Sequence, residues 1–412
     1  MRVTNGTDAA RSKADALRRW HAVRNVLAVR LDNLGDVLMT TPALAAIRHT
    51  LPAARITLLA SPAGAAVAAH VPVIDDVIAF EAAWMKHPRA GNDDAHDLGQ
   101  RESRLVDRLA ERGFDAAIVF TVCTQSALPA ALLCRLAGIP LRLAHSRENP
   151  YALLTDWVAE CDEVVEGMRH EVARQLALVA SVGFHAPDDR LQFRFGIEHV
   201  GRLRERLAEA GVDPARPYFV VHPGASAPSR RWPAERFGAA AELIAQGSGC
   251  QAVFTGDAGE HALIEVARHA MTAPSASLGG RLDLGELAAL IAGAQVLVAN
   301  NTGPVHVAAA VGTPVVDLYA LTNPQHTPWK VRSRVLNHDV PCRHCLKSEC
   351  PMGHHDCLRR VEPLEVAEAS LELMGPGPGL PLKARAPARM PAPPAMPVPL
   401  HTPAPAALEA AP

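Results

Sequence analysis

Short apolar runs alternate with helix-like stretches along this chain of 412 residues, and they form two series. The first series of predicted strands comprises Val26–Arg30, Arg55–Leu59, Val77–Phe80, Ala116–Phe120 and Leu141–Ala144. The second series comprises Tyr218–His222, Ala252–Thr255, Ala276–Leu278, Val296–Ala299 and Val315–Tyr319. Strands separated by helices are typical of βαβ units, in which the strands are parallel. The alternation therefore predicts an α/β protein with two parallel sheets.

Length and charge narrow the class of protein further. The chain is long enough for two domains, each with its own core. A net charge of −2 gives no bulk attraction to nucleic acid. No apolar run reaches the length needed to span a membrane, and the polar, basic segment Met1–Trp20 lacks the apolar core of a secretory signal. We therefore expect a soluble cytoplasmic protein that at most touches the inner face of the inner membrane.

One strand–turn–helix corner is rich in hydrogen-bond donors. It follows the apolar run Ala294–Ala299, and Asn301, Thr302 and His306 supply polar side chains while Gly303 lets the backbone approach a ligand closely. Free backbone N–H groups at the start of a helix, together with the helix dipole, favour a phosphate. The same residues would also serve as an ordinary helix cap.

A second corner lies near the other end of the chain. The strand-like run Asn25–Leu31 leads into a turn containing Gly35 and Asp36. Thr41 and Pro42 predict an N-cap and a first turn for a helix that continues to Thr50. Asp36 would then project from a loop at the carboxyl end of a central strand, where open α/β sheets bind ligands. A solvated turn aspartate is the alternative.

Four motifs, in this order, carry a resemblance to a known family. They are RLDNLGDVLMTTP at residues 30–42, HPGASAPSRRWP at 222–233, FTGDAGE at 254–260, and NTGPVH at 301–306 with GTPVV at 312–316. Together they resemble glycosyltransferase family 9, the ADP-heptose:lipopolysaccharide heptosyltransferases, over roughly residues 24–373. Several ordered motifs are far more specific than a single one. The resemblance implies the GT-B architecture, in which two Rossmann-like domains face each other across a cleft.

The resemblance and the composition together predict four segments. Residues 1–22 form an N-terminal extension, and residues 23–190 form a Rossmann-like acceptor domain. Residues 191–375 form a Rossmann-like domain that binds the nucleotide sugar and includes the cysteine-rich segment 342–357. Residues 376–412 are about one-third proline with much alanine, so we expect a disordered or polyproline-type tail.

For the acceptor side, the resemblance assigns the catalytic base to Asp36. A carboxylate at a strand's end can take the proton of an attacking hydroxyl. The family implies single displacement with inversion of configuration and no catalytic cofactor. Arg30, at the end of the same strand, could hold an acceptor phosphate or carboxylate, or it could be a surface arginine.

For the donor side, the resemblance points to the second domain. Ser226 and the neighbouring backbone N–H groups would meet phosphate oxygens, and Arg230 would offset the charge of the departing diphosphate. Glu260 would bond the ribose hydroxyls. Thr302, Gly303 and His306 would complete the phosphate pocket. Asn301 departs from the aspartate of many family members, which puts its donor contact and the donor preference in doubt.

Four of the eight cysteines lie close together in the sequence, at Cys342, Cys345, Cys350 and Cys357. In a reducing cytoplasm such clustering favours a structural zinc ion over disulfides. The spacing is not that of a standard zinc ribbon. Free thiols that pack a loop remain the alternative, and an iron–sulfur cluster is a third reading.

Three function classes follow. The first is an inverting heptosyltransferase that uses ADP-heptose and a lipid-linked or core oligosaccharide acceptor of the lipopolysaccharide inner core. The second is a transferase of the same fold with another nucleotide sugar and another acceptor. The third is a non-catalytic, metal-binding relative. A nicotinamide dehydrogenase is disfavoured, because no Gly-x-Gly-x-x-Gly follows the first strand.

Overall fold

A computed structural model describes residues 6–85, 99–213 and 216–375 of the chain. Its first sheet consists of β1 (Asn25–Arg30), β2 (Arg55–Ala60), β3 (Asp76–Ala79), β4 (Ala116–Val119), β5 (Leu141–Ser146) and β6 (Asp156–Ala159). The strands are all parallel and lie in the order β3-β2-β1-β4-β5-β6. This order is that of a doubly wound nucleotide-binding sheet.

The second sheet repeats the same connectivity. Its strands are β7 (Tyr218–His222), β8 (Gln251–Phe254), β9 (Ser275–Ser277), β10 (Leu297–Asn300), β11 (Val315–Leu318) and β12 (Ser333–Leu336). They are parallel and lie in the order β12-β11-β10-β7-β8-β9. The predicted α/β class with two Rossmann-like sheets is confirmed.

Helices connect the strands and cover the sheets. They are α1 (Gly6–His21), α2 (Leu34–Thr50), α3 (Pro62–Ala68), α4 (Gln100–Glu111), α5 (Leu128–Leu136), α6 (Glu171–Ala180), α7 (Ile197–Glu209), α8 (Ala234–Ser248), α9 (His261–His269), α10 (Leu284–Gly293), α11 (Gly303–Val311), α12 (Asp356–Arg359) and α13 (Pro363–Met374). Single 3₁₀ turns occur at Tyr151–Leu153, Pro228–Arg230 and Ala258–Glu260. The tail predicted for residues 376–412 lies outside the described residues.

Of the four edge strands, β3 and β9 were predicted, whereas β6 and β12 were not. Each of β6 and β12 is only four residues long and mixes half-buried with exposed residues. An edge strand has a neighbour on one side only, so its sequence needs fewer apolar residues. The inner strands, by contrast, are buried on both faces and read as apolar runs.

The N-cap of helix α2 lies eight residues earlier than the predicted cap at Thr41. It is Asn33, whose N–H donates to Asp36 Oδ2 over 3.1 Å, so Asp36 lies in the first helical turn rather than in a loop. Pro42 lies inside the helix and cannot donate to Leu38 O. The hydroxyl of Thr41 donates to that carbonyl instead, over 2.6 Å, which explains how the helix continues through the proline.

The chain passes from one sheet to the other between α6 and α7. Helix α6 packs on α2 beside the first sheet, whereas α7 packs on α10 beside the second. Helices α2 and α11, which follow the central strands β1 and β10, pack against each other. We propose the domain boundary near residue 190 on this basis. Within the described ranges, no helix is long and apolar enough to cross a membrane.

Candidate functional site

The carboxyl ends of the central strands open onto a cleft of about 640 Å³. Asn33, Leu34 and Gly35 line it from the start of α2. The second sheet contributes polar groups at its strand ends and an apolar wall, formed by His222, Ala225, Ser226, Arg231, Thr255, Gly256, Asp257, Gly259, Glu260, Leu278, Leu282, Asp283, Leu284, Leu287, Thr302, Gly303, Pro304 and Val307. The cleft therefore joins the two sequence corners in one site.

Asp36 lies next to this cleft with a largely covered carboxylate. Its side chain is 14% exposed, and Arg30 Nη2 donates to Asp36 Oδ1 over 3.2 Å. Burial alone would raise the pKa of Asp36, but the positive charge of Arg30, together with the hydrogen bond from the Asn33 N–H, lowers it. Asp36 is therefore ionised at neutral pH, as a general base must be.

Arg30 lies beneath the cleft, not at its surface. The side chain has no exposed area, and its guanidinium meets Asp32 over 2.9 Å and Glu171 over 2.9 Å in addition to Asp36. The carboxylates of these three residues thus accept from the guanidinium N–H groups of Arg30. This burial contradicts the surface arginine. The acceptor contact of Arg30 stays a prediction, and we also propose a positioning role under Asp36.

Two histidines face Asp36 from the second domain. The His306 ring lies against the start of α2, where a Cβ on residue 35 would stand 2.6 Å from His306 Cδ2, so only glycine fits there. Burial lowers the pKa of His306 to about 3 and also lowers the pKa of His326. His306 is therefore a neutral imidazole at neutral pH, able to donate one hydrogen bond but carrying no charge.

Glu260 reaches into the cleft across the first turn after β7. A Cβ on residue 224 would lie 2.0 Å from Glu260 Oε1, so Gly224 makes room for this carboxylate. Glu260 Oε2 accepts from the N–H of Asp257 over 3.0 Å and lies 3.8 Å from His222 Nε2. Burial raises the pKa of Glu260. The other carboxylate oxygen remains available to ligand hydroxyls.

The two adjacent arginines of the 222–233 motif occupy different positions. Arg231 lines the large cleft and donates from Nε to Ala225 O over 2.7 Å, and Ser226 lines the same cleft. Arg230 lines a narrow neighbouring pocket instead. The rest of that pocket is formed by Asn301, Tyr319, Ala320, Thr322, Asn323 and His326.

The β10–α11 corner has the predicted form. Helix α11 begins at Gly303 with Thr302 as its N-cap, and both residues line the cleft. Asn301 turns its amide inward, where Nδ2 donates to Asp317 Oδ2 and to His326 O, each over 3.0 Å. Asn301 therefore has only its carbonyl oxygen left for a ligand.

The four clustered cysteines line one small cavity with His354 and His355. Cys342 Sγ lies 3.8 Å from His354 Nε2. Across residues 6–85, 99–213 and 216–375, no three His, Cys, Asp or Glu side chains are arranged to hold a metal ion as they stand. Trp232 of the 222–233 motif is fully buried and donates from Nε1 to Val361 O, so it packs the core of the second domain.

Sequence reasoning missed several residues of this site. His326 follows β11 in a segment with no recognised motif, and Glu171 stands 141 positions from the arginine it pairs with. Asp32 lies beside a residue we singled out and was passed over; burial raises its pKa to about 6. Their position in the sequence was the one available signal for Asp32 and His326. Residues that follow the parallel strands meet at the carboxyl edge of the sheet, where ligands bind.

Comparison with known proteins agrees with this geometry. Residues 103–355 match the family model described as glycosyltransferase family 9 (heptosyltransferase). Lipopolysaccharide heptosyltransferase 1 of Pseudomonas aeruginosa is 29% identical over 79% of this chain and 87% of its own length. Lipopolysaccharide heptosyltransferase 2 of Escherichia coli is 26% identical over 81% of this chain and 94% of its own length.

Among solved structures, the ADP-heptose lipopolysaccharide heptosyltransferase II of Escherichia coli has the same fold. It superposes with a TM-score of 0.66 at 24% identity, covering 85% of this chain and 98% of that one. Its likeness supports the GT-B architecture of two Rossmann-like domains. The family match spans more than half of the sequence, and the chain belongs to glycosyltransferase family 9.

Proposed function

We propose that this chain is an inverting heptosyltransferase, which moves a heptose from ADP-heptose to an acceptor of the lipopolysaccharide inner core. One observation carries the proposal. The cleft that Glu260, Thr302 and Gly303 line from the second sheet is closed on its other side by residues 33–35, directly before Asp36. A nucleotide-binding half and a carboxylate base thus face the same space, as glycosyl transfer requires.

Asp36 acts as the base in this proposal. The acceptor hydroxyl attacks the anomeric carbon of the donor sugar while its proton passes to Asp36, and the bond to the diphosphate breaks on the opposite face. Arg30 keeps Asp36 ionised and in place. A single displacement inverts the configuration and needs no second carboxylate as nucleophile.

The leaving diphosphate lies against the second domain. The N-terminus of α11, at Thr302 and Gly303, and the side chains of Ser226 and Arg230 supply donors and positive charge where negative charge grows. Glu260 accepts from the ribose hydroxyls. We also propose that His306, Asn301 and His326 line the place of the transferred sugar between the diphosphate and Asp36.

The donor sugar and acceptor are tested together. Purified protein is incubated with a heptose-deficient core oligosaccharide as the acceptor. Each of four parallel reactions contains one donor: ADP-heptose, ADP-glucose, UDP-glucose or GDP-mannose. Mass spectrometry should show one added heptose with ADP-heptose alone. Transfer from a different nucleotide sugar would overturn the donor assignment, and transfer only to a protein or small-molecule hydroxyl would overturn the acceptor. The lipid-linked acceptor would place the protein at the inner face of the inner membrane.

We further propose a structural zinc ion at Cys342, Cys345, Cys350 and Cys357. The four thiols line one cavity, and thiolates are ligands that a structural zinc ion prefers. Protein purified without added metal should contain about one zinc per chain by elemental analysis. Folded, active protein free of zinc would refute the site.

A further inference from the structure

The cysteine-rich loop, defined here as residues 340–357, lies directly behind the pocket that contains Arg230. Its cavity is lined not only by cysteines and histidines but also by Ser229, Leu321 and Thr322. Arg230 follows Ser229 in the chain, and Thr322 also lines the Arg230 pocket. The loop therefore has contacts with both segments that form this part of the donor site.

The contact with the arginine turn is made through Ser229. This residue is 3% exposed, its N–H donates to Ser348 O over 2.9 Å, and its hydroxyl donates to Lys347 O over 2.7 Å. Both bonds fix the 3₁₀ turn Pro228–Arg230 to the loop. Arg230 lines the neighbouring pocket and directly follows Ser229, so the position of its Cα depends on the anchored residue before it.

The loop is also bonded to the segment that carries His326. The N–H groups of His344 and Leu346 donate to Leu321 O and Thr322 O. Both donors adopt left-handed backbone angles, with φ of 59° and 53°, which L side chains rarely adopt. Such angles persist only where the surroundings hold them, and they concentrate at functional sites.

We propose that Ser229 is a positioning residue, through which the cysteine-rich loop holds Arg230 against the donor diphosphate. The inference rests on the proposed function, because it needs Arg230 to act on the leaving group. A loosened loop lets the arginine turn shift, and a small displacement of a charged donor weakens its interaction with the charge that develops as the bond breaks.

Ser229→Ala removes the hydroxyl bond to Lys347 O and leaves Arg230 in the sequence. We expect kcat to fall about three- to tenfold, the loss associated with one buried hydrogen bond. Lys347→Gly loosens the loop backbone without removing a buried side chain, and it should lower kcat in the same direction. Ser370→Ala is the matched control, since Ser370 is also buried and its hydroxyl donates to a helix carbonyl far from the cleft.

A double-mutant cycle with Arg230→Ala separates positioning from general destabilisation. If Ser229 acts through Arg230, Ser229→Ala should change kcat less than about twofold once Arg230 is alanine. Calorimetry with ADP on the full chain should show weaker binding for Ser229→Ala and unchanged binding for Ser370→Ala. Thermal melting of each variant measures the purely structural effect.

The outcomes distinguish this inference from the proposed function. Normal kcat in Ser229→Ala and Lys347→Gly, with a strong loss in Arg230→Ala, would overturn the positioning role and leave the function intact. Equal losses from Ser229→Ala in both backgrounds would overturn it as well. No loss of kcat in Arg230→Ala would instead contradict the role of the arginine in the proposed reaction.

Discussion

Arg30 and Asp36 form an ion pair of 3.2 Å in which the arginine has no exposed surface and the aspartate lies beside the open cleft. The buried cation is shared with Asp32 and Glu171. A charge that cannot reach solvent is thereby compensated, and it holds the carboxylate of Asp36 ionised at the site where a proton is to be taken.

Replacing Arg30 by methionine should raise the pKa of Asp36. Burial and the neighbouring carboxylates would then favour the protonated form, so the acidic limb of the kcat/KM profile should move to higher pH. Arg30→Lys keeps one charge and should move the limb less. Profiles measured alongside thermal melting separate this effect from lost stability. If the acidic limb shifts in neither variant, Arg30 does not control the pKa of Asp36.

The donor residues should differ in kinetic effect. Arg230→Ala should lower kcat by about tenfold or more and weaken donor binding, because the leaving diphosphate gains charge in the transition state. Glu260→Ala should mainly raise the KM for the donor, because ribose contacts are present in ground state and transition state alike. Steady-state kinetics measures kcat and KM, and calorimetry with ADP measures binding of the nucleotide. If Glu260→Ala mainly lowered kcat and Arg230→Ala mainly raised KM, the roles assigned to the two residues would be contradicted.

Asp317 should make stability depend on pH. Burial raises its pKa to about 8, so the folded protein keeps a proton that the unfolded chain releases near pH 4. The folded state then binds more protons in this window, and the free energy of unfolding should fall as pH rises from about 4 to 8. Asp317→Asn keeps an acceptor for Asn301 and should flatten this slope in denaturant titrations. Exposed Asp339→Asn is the control, and an unchanged slope in Asp317→Asn would contradict the buried proton.

The sequence predicted the fold well because inner parallel strands are buried on both faces. Strands such as β1 and β10 contain an uninterrupted apolar run, and the glycines and polar residues after them mark the ligand edge. The edge strands β6 and β12 lack that signal. The predicted start of α2 was wrong because Asn33 and Asp36 cap the helix earlier in the chain. The Thr41–Pro42 pattern falls inside the helix, where the Thr41 hydroxyl bonds to Leu38 O.

The site was predicted in part, for a related physical reason. Motif residues such as Asp36, Glu260 and Thr302 stand at or near the cleft, since they follow strand ends. The burial of Arg30 depends on Glu171, and the inward turn of Asn301 depends on Asp317 and the His326 carbonyl. These partners come from distant segments, and no local pattern in the sequence indicates such pairings.

The most direct measurement compares the wild-type protein with Asp36→Asn on ADP-heptose and a heptose-deficient core acceptor. The account predicts a product with one added heptose of inverted anomeric configuration by NMR. In Asp36→Asn, turnover should fall by about two to four orders of magnitude with ADP affinity nearly unchanged, whereas the exposed control Asp339→Asn should keep most of the turnover. Retained configuration, or near-normal turnover in Asp36→Asn, would contradict Asp36 as the base of an inverting transfer.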